Sequence, residues 1–137
     1  MKNRKRVYIA FDFDDLGVKQ GLIAESRRPD CPFEFVDNSI STAIEAAWAA
    51  EAEKLIVGSS CVVVLCGVQT HQARGVATEL QIAQKLGKPY FLLRGTRVGT
   101  PTRPRHARDT DRIWTYRWRT LDALLCGRVP PPDAAWS

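Results

Sequence analysis

The order of hydrophobic and polar residues along the chain predicts strands and helices in alternation. Five apolar segments rich in β-branched or aromatic residues predict strands over residues 6 to 11 (RVYIAF), 33 to 36 (FEFV), 61 to 66 (CVVVLC), 90 to 93 (YFLL) and 112 to 116 (RIWTY). Apolar residues at helical spacing predict helices over residues 15 to 27, from a capping box at 42 to at least 55, 73 to 86, and 120 to 126.

The unbroken apolar segment CVVVLC is typical of a strand in a parallel sheet that helices cover on both faces. Five strands alternating with helices predict an α/β, flavodoxin-like three-layer sandwich, with a parallel sheet in the order 2-1-3-4-5. A length of 137 residues fits one domain. We assign residues 1 to 127 to this domain and residues 128 to 137, rich in proline, to a C-terminal tail.

The charge balance changes this picture little. The chain has a net charge of +5, and much of the basic surplus lies in residues 95 to 112 and in the first six residues, without interleaved aromatic residues. We therefore expect a solvated loop and no nucleic-acid partner, although the arginines are compatible with an anionic nucleotide. No apolar run approaches the roughly 18 residues of a membrane span, and no signal-peptide pattern opens the chain. We expect a cytoplasmic protein whose four cysteines are reduced.

The helix over residues 73 to 86 contains an unusual carboxylate. Val76, Leu80 and Ala83 form one apolar stripe, and Glu79 falls inside it. A carboxylate on a face that packs against a sheet is costly unless it is paired, hydrogen-bonded or directed into a cavity. Two interpretations follow: Glu79 faces a binding site, or it pairs structurally with a basic residue.

The predicted topology favours a binding site for Glu79. Ligands of doubly wound sheets bind outside the carboxyl ends of the strands, where the chain order reverses. Loops over residues 12 to 15, 37 to 41 and 67 to 75 converge on that edge, and Glu79 lies about one turn into the helix that the last loop enters. We expect Glu79 to point toward this crevice, and the amides of residues 67 to 75 to be available for phosphate oxygens.

A different chemistry is suggested by the acidic cluster FDFDD at residues 11 to 15. Such a cluster would suit a phosphoacceptor receiver that binds Mg²⁺. A receiver also needs an aspartate after the third strand and a lysine after the fifth, where this chain has Cys66-Gly67 and Arg117-Trp118. We therefore expect no metal site, and Asp14 and Asp15 are more typical of helix capping. No dinucleotide-binding or P-loop glycine pattern occurs either.

An ordered set of segments resembles a known family. These segments are RVYIAFDFDD, FEFVDNSI, a helix bearing tryptophan, SCVVVLCGVQTHQARGVATELQIAQKLGKPYFLL, and IWTYRW. Together, over about residues 5 to 126, they resemble bacterial TIR-like proteins, a group that includes the TIR subunits of Thoeris antiphage defence. The family more often has Ser-x-Trp where this chain has Ala73-Arg74-Gly75, and Ser where it has Ala10.

The resemblance implies an NAD⁺ glycohydrolase or cyclase with Glu79 as the catalytic residue, in a pocket lined by Phe11, Asp12, Ser39, Gly67 and His71. NAD⁺ would be the substrate, and no cofactor would be needed. The product would be a cyclic or conjugated ADP-ribose that activates a separate effector, and the protein would assemble with copies of itself. Two alternatives remain: a nucleoside deoxyribosyltransferase-like enzyme, and a non-catalytic TIR adaptor that acts by self-association.

Overall fold

The computed structural model describes residues 5–12, 16–29, 31–36, 45–95 and 99–126. The five strands are β1 (Lys5–Ala10), β2 (Phe33–Val36), β3 (Cys61–Cys66), β4 (Tyr90–Arg94) and β5 (Ile113–Trp114). Four α-helices are described: α1 (Leu16–Ser26), α2 (Glu45–Val57), α3 (Arg74–Lys85) and α4 (Trp118–Leu125). A short 3-10 helix, Thr70–Gln72, lies between β3 and α3.

All five strands are parallel and form one sheet in the order β2-β1-β3-β4-β5, which confirms the predicted topology. Cys66 at the end of β3 is level with Arg94 at the end of β4. The amide of Gly95 donates a hydrogen bond of 2.8 Å to the carbonyl of Cys66. The segments that follow β3 and β4 therefore leave the sheet side by side at its carboxyl edge.

Each face of the sheet has its own hydrophobic core, because side chains alternate along each strand. Val7 and Ile9 of β1 lie on the face covered by α1 and α4, whereas Tyr8 and Ala10 lie on the face covered by α2 and α3. All six residues of β3 are buried, as expected for a parallel strand between two helical layers. The face beneath α1 and α4 is called the α1/α4 face below, and the other the α2/α3 face.

The predicted ends of β2 and β3 match the observed ends, and those of β1, β4, β5, α1, α3 and α4 differ from them by at most two residues. The helix α3 ends at Lys85, and Gly87 follows in the left-handed region at φ +68°, a conformation typical of helix C-termini. The edge strand β5 spans only Ile113 and Trp114, the two residues that pair with β4, and α4 begins two residues before the predicted Thr120. The proposed helix caps Asp14, Asp15 and Thr42, and the predicted tail, lie outside the described residues.

The basic segment after β4 packs against the protein more closely than a solvated loop would. Pro101 and Pro104 are buried, and Arg103 donates from Nη1 to the carbonyl oxygens of Arg108 and Asp109, at 3.1 and 3.3 Å. The prediction of a solvated loop is therefore wrong for residues 101 to 104, whereas Arg105, His106 and residues 108 to 110 are exposed as predicted. None of the helices described here has the length and apolar character needed to cross a membrane.

Candidate functional site

The carboxyl group of Glu79 lies in the α2/α3 core, where Val76 and Leu80 of the same helix are also buried. Only 4% of Glu79 is exposed. The phenol of Tyr8, which is completely buried in β1, donates a hydrogen bond to Oε2 of Glu79. Tyr8 is a neutral partner, and the structural interpretation from sequence, in which Glu79 pairs with a basic residue, stays a prediction. A buried carboxyl that accepts a hydrogen bond is stabilised in its position.

The Tyr8 contact fixes where Glu79 lies relative to the sheet edge. Tyr8 precedes the last residue of β1 by two positions, or roughly 7 Å along the strand. Glu79 is thus held beside the strands, just below the carboxyl edge where the loops after β1 and β3 emerge. The Glu79 carboxyl and the Tyr8 hydroxyl form a polar pair beside the apolar residues of the α2/α3 core.

The loop after β3 is closed by two threonine side chains. The hydroxyl of the completely buried Thr70 accepts a hydrogen bond of 2.6 Å from the amide of Gly67. Thr102, in the segment after β4, donates its amide to the Gly67 carbonyl at 2.8 Å. The hydroxyl of Thr102 also lies 3.2 Å from the carbonyl oxygens of Gly67 and Val68 and accepts the amide of His71 at 2.9 Å. We call the hydrogen bonds that Thr102 makes with Gly67, Val68 and His71 the Thr102 bridge.

These bonds use most of the amides that were expected to receive phosphate. The amides of Gly67 and His71 donate to threonine hydroxyls, and those of Thr70, Gln72 and Ala73 donate to carbonyl oxygens of the same loop. The expectation of a phosphate-binding loop is therefore wrong for these five residues, because a donor already engaged in the protein must lose that bond to accept a ligand. Helix α3 then begins after Ala73, whose methyl side chain makes no capping hydrogen bond.

The Thr102 bridge also indicates which tautomer of His71 is favoured. Nδ1 of His71 lies 3.0 Å from the Thr102 hydroxyl oxygen. That hydroxyl has one hydrogen, which it can donate to one of the two carbonyl oxygens at 3.2 Å. Because the hydroxyl then acts as an acceptor toward the ring, Nδ1 carries the hydrogen and is the donor. In the neutral ring, Nε2 is then the acceptor. The ring is exposed, so this nitrogen is available to solvent or to a ligand.

A tryptophan from α2 covers the first turn of α3. A Cβ atom built on Gly75 would lie 3.3 Å from Cη2 of Trp48, so the indole packs directly against the glycine backbone. Position 75 is where the family that the sequence resembles more often has a tryptophan. In this chain, an aromatic ring lies at the same turn but comes from α2, and a larger residue at position 75 would displace it.

The remaining predicted pocket residues are not all brought together. Gly67 and His71 share the Thr102 bridge, and the half-buried Asp12 follows β1. Phe11 packs on the α1/α4 face, opposite Glu79, with Nζ of Lys19 5.0 Å from its ring centroid. Ser39 lies outside the described residues. Their roles in a pocket stay predictions, and sequence reasoning missed Tyr8 and Thr102 as the residues that hold the site in shape.

A cavity of about 660 Å³ lies at the carboxyl ends of β4 and β5, beside the first two turns of α1. Its walls come from three segments: Gly17, Val18 and Gly21 of α1, Arg94 at the end of β4 with Gly95 after it, and residues 115 to 117 before α4. Sequence reasoning missed this cavity. A signal was present, because two glycines four residues apart share one face of a helix and leave a depression there.

Comparisons with known proteins agree with the fold. The sequence matches the family model described as Thoeris protein ThsB, TIR-like domain, over residues 8–97, a range that contains Tyr8 and Glu79. A crystal structure of a prokaryotic SEFIR domain is similar, with a TM-score of 0.56, 14% sequence identity, and coverage of 90% of this chain and 88% of that chain. At this identity the likeness concerns the fold alone. No curated protein sequence matches the chain significantly.

Proposed function

Because the chain belongs to the family of TIR-like domains of the Thoeris protein ThsB, we propose that it cleaves NAD⁺ at the bond between nicotinamide and ribose, with Glu79 as the catalytic residue. The observation that carries the proposal is the carboxyl of Glu79, oriented by Tyr8 just below the carboxyl edge of the sheet. The product would be an ADP-ribose species, linear, cyclic or conjugated, that activates a separate effector in antiphage defence.

The proposed reaction needs a carboxylate and no metal ion. When the bond from C1′ of the ribose to the nicotinamide nitrogen breaks, its electron pair leaves with the ring, which becomes neutral nicotinamide. The ribose is left as an oxocarbenium-like cation, and an ionised Glu79 stabilises that positive charge. Water, a nucleophile within the nucleotide or a nucleophile on a second molecule then bonds to C1′, which gives the linear, cyclic or conjugated product respectively, and the captured nucleophile gives up its proton to solvent.

The burial of Glu79 supports this role. Charge stabilisation is stronger where water is excluded, and the group must already point to where the charge develops. The Tyr8 hydrogen bond supplies that orientation. With 4% of Glu79 exposed, a substrate reaches the carboxylate only when the residues around the first half of α3 move. We propose that assembly with other copies of the chain accompanies this opening.

The test is an NAD⁺ cleavage assay on concentrated, assembled protein, with nicotinamide and every ADP-ribose species measured by mass spectrometry. Glu79→Gln keeps the size and most hydrogen bonds but removes the charge, and we expect the rate to fall by about 10²–10³. Glu53→Gln removes the same charge from an exposed position on α2 and should leave the rate unchanged. Near-wild-type cleavage by folded Glu79→Gln would remove Glu79 from catalysis.

A non-catalytic adaptor is the second candidate, because the burial of Glu79 and its bond to Tyr8 also suit a purely structural carboxyl. An adaptor predicts self-association with no turnover of NAD⁺, even in the assembled state. Deoxynucleosides are included as substrates in the same assay, since their cleavage in preference to NAD⁺ would instead indicate a deoxyribosyltransferase-like enzyme.

A further inference from the structure

The cavity beside α1 has the size and position of a ligand site that is separate from Glu79. Its volume of about 660 Å³ lies within the range of roughly 300–1,000 Å³ that is typical of small-molecule sites. It opens at the carboxyl ends of β4 and β5, on the ligand-binding edge of a doubly wound sheet but away from the switch point between β1 and β3. Helix α1 packs on the α1/α4 face, whereas Glu79 lies in the α2/α3 core. A molecule in this cavity would therefore leave Glu79 uncovered.

Glycine residues provide the space. Gly17 and Gly21 both line the cavity, and a Cβ atom built at either position would have no neighbouring atom within 4 Å. A glycine inside a helix is destabilising relative to alanine, because it loses more backbone freedom on folding. Gly17 and Gly21 both lie in the first two turns of α1 and therefore destabilise the helix. No neighbouring group requires a glycine at either position, and the effect of the missing side chains is open volume.

The cavity wall is basic. Arg94 at the end of β4 and Arg117 just before α4 are far apart in sequence and line the same cavity. Nη2 of Arg94 donates to the carbonyl of Gly99 at 3.5 Å. The planar guanidinium group of an arginine presents five N–H donors and suits two oxygens of a phosphate.

The same wall offers apolar surface for a planar ring. Tyr116 is 37% exposed and lies between Thr115 and Arg117, and half-buried Val18 faces the cavity from α1. Aromatic surface beside two guanidinium groups is the combination that binds a heterocyclic base together with its phosphate. We propose that the cavity binds a nucleoside phosphate, as a second site distinct from the proposed NAD⁺ cleavage site.

The experiment measures binding of AMP to the assembled full chain by calorimetry at physiological salt, with adenosine and inorganic phosphate as comparison ligands. We expect AMP to bind at least tenfold more tightly than either part alone, because only AMP reaches both the arginines and the aromatic wall. Gly21→Leu fills the cavity and should abolish binding. Gly21→Ala, which adds one methyl group in open space, is its control.

A second pair of variants covers the case in which Gly21→Leu does not fold. Arg117→Gln should weaken AMP binding about tenfold, whereas Arg119→Gln, on the same helical segment but outside the cavity, should not. Absence of AMP binding to the wild type would overturn the proposal, and so would wild-type affinity in both Gly21→Leu and Arg117→Gln. If AMP affinity falls in Glu79→Gln but not in Gly21→Leu or Arg117→Gln, AMP binds at the proposed NAD⁺ site, and this result would also overturn the proposal.

Discussion

Replacing Tyr8 by phenylalanine removes one oxygen atom from the centre of the α2/α3 core. Tyr8 is completely buried and Glu79 is 4% exposed, so water cannot easily replace the lost hydroxyl. The ring itself stays, and the change therefore leaves little empty volume. What is lost is the hydrogen bond that orients the carboxyl group of Glu79.

The expected size of the effect follows from this geometry. A hydrogen bond to a charged group contributes about 1.5–3 kcal/mol, and a buried acceptor that loses its donor is destabilised by a similar amount. We expect Tyr8→Phe to lower the free energy of unfolding by about 2 kcal/mol. At roughly 2.1 cal/mol/K of unfolding entropy per residue, a chain of 137 residues should lose about 7 °C in Tm.

The assay is a double-mutant cycle with Glu79→Gln, followed by urea unfolding and calorimetry. Glutamine still accepts a hydrogen bond from Tyr8 but carries no charge, so we expect a coupling free energy of about 1 kcal/mol. Tyr90→Phe is the matched control. Its hydroxyl donates to Asp111 at 2.7 Å, two strands or roughly 10 Å from Tyr8, and its effect should add to that of Glu79→Gln.

Two results would refute this reasoning. A Tm change below about 2 °C for Tyr8→Phe would mean that the hydroxyl contributes less than a neutral, solvated hydrogen bond. A coupling to Glu79→Gln no larger than that of Tyr90→Phe would mean that Tyr8 and Glu79 do not act together. Either result would also remove the argument that Tyr8 orients the proposed catalytic carboxylate.

Three further predictions concern the loops and a buried thiol. Thr102→Val should lower the free energy of unfolding by about 1–3 kcal/mol and speed hydrogen exchange at the amide of His71. Thr110→Val, at an exposed position, should do neither. Unchanged exchange at His71 in Thr102→Val would contradict the Thr102 bridge. Gly99→Ala should lower the free energy of unfolding by about 1–2 kcal/mol, because φ is +85° and the new Cβ would lie 2.8 Å from Cγ2 of Val68. Urea unfolding measures this loss. Adding Val68→Ala removes the clash and should restore only the part of the loss that the clash causes. Burial raises the pKa of Cys61 to about 11, and the charge of Lys5 opposes this rise. Alkylation of Cys61 at pH 8 should therefore be far slower than alkylation of the exposed Cys126, and it should accelerate toward pH 11. Equal alkylation rates of the two cysteines at pH 8 would contradict this prediction. Because the protonated thiol is favoured in the folded state, the stability that Cys61 contributes is present below its ordinary pKa of 9.0 and is lost as the pH rises through about 11.

The sequence predicts the fold well where local pattern and tertiary context agree. The strand β3 was predicted to the residue, because six consecutive apolar side chains fit only a strand buried on both faces. The strand β5 was predicted over residues 112 to 116 but spans two residues, since only Ile113 and Trp114 pair with β4. Thr115 and the next two residues instead leave the sheet and line the cavity beside α1.

The candidate site was predicted only in part, because its contacts join distant segments. The position of Glu79 within an apolar stripe correctly indicated a buried carboxyl that needs a partner. That partner, Tyr8, lies 71 positions away, and its identity depends on which side chains of β1 face α3. Thr102 was hidden in a basic segment whose composition suggested a solvated loop. The cavity depends on three separate segments meeting in space, which no local pattern records.

The Thr102 bridge also has a practical consequence for work with this protein. Residues 99 to 107, with their prolines and arginines, look like a convenient place to insert an epitope or to shorten the chain. Since Thr102 holds the carbonyl groups of Gly67 and Val68, an insertion there would shift the segment that leads into α3. Such a variant would show the phenotype of a lesion near Glu79, and a genetic screen would assign two distant stretches of the gene to one functional unit.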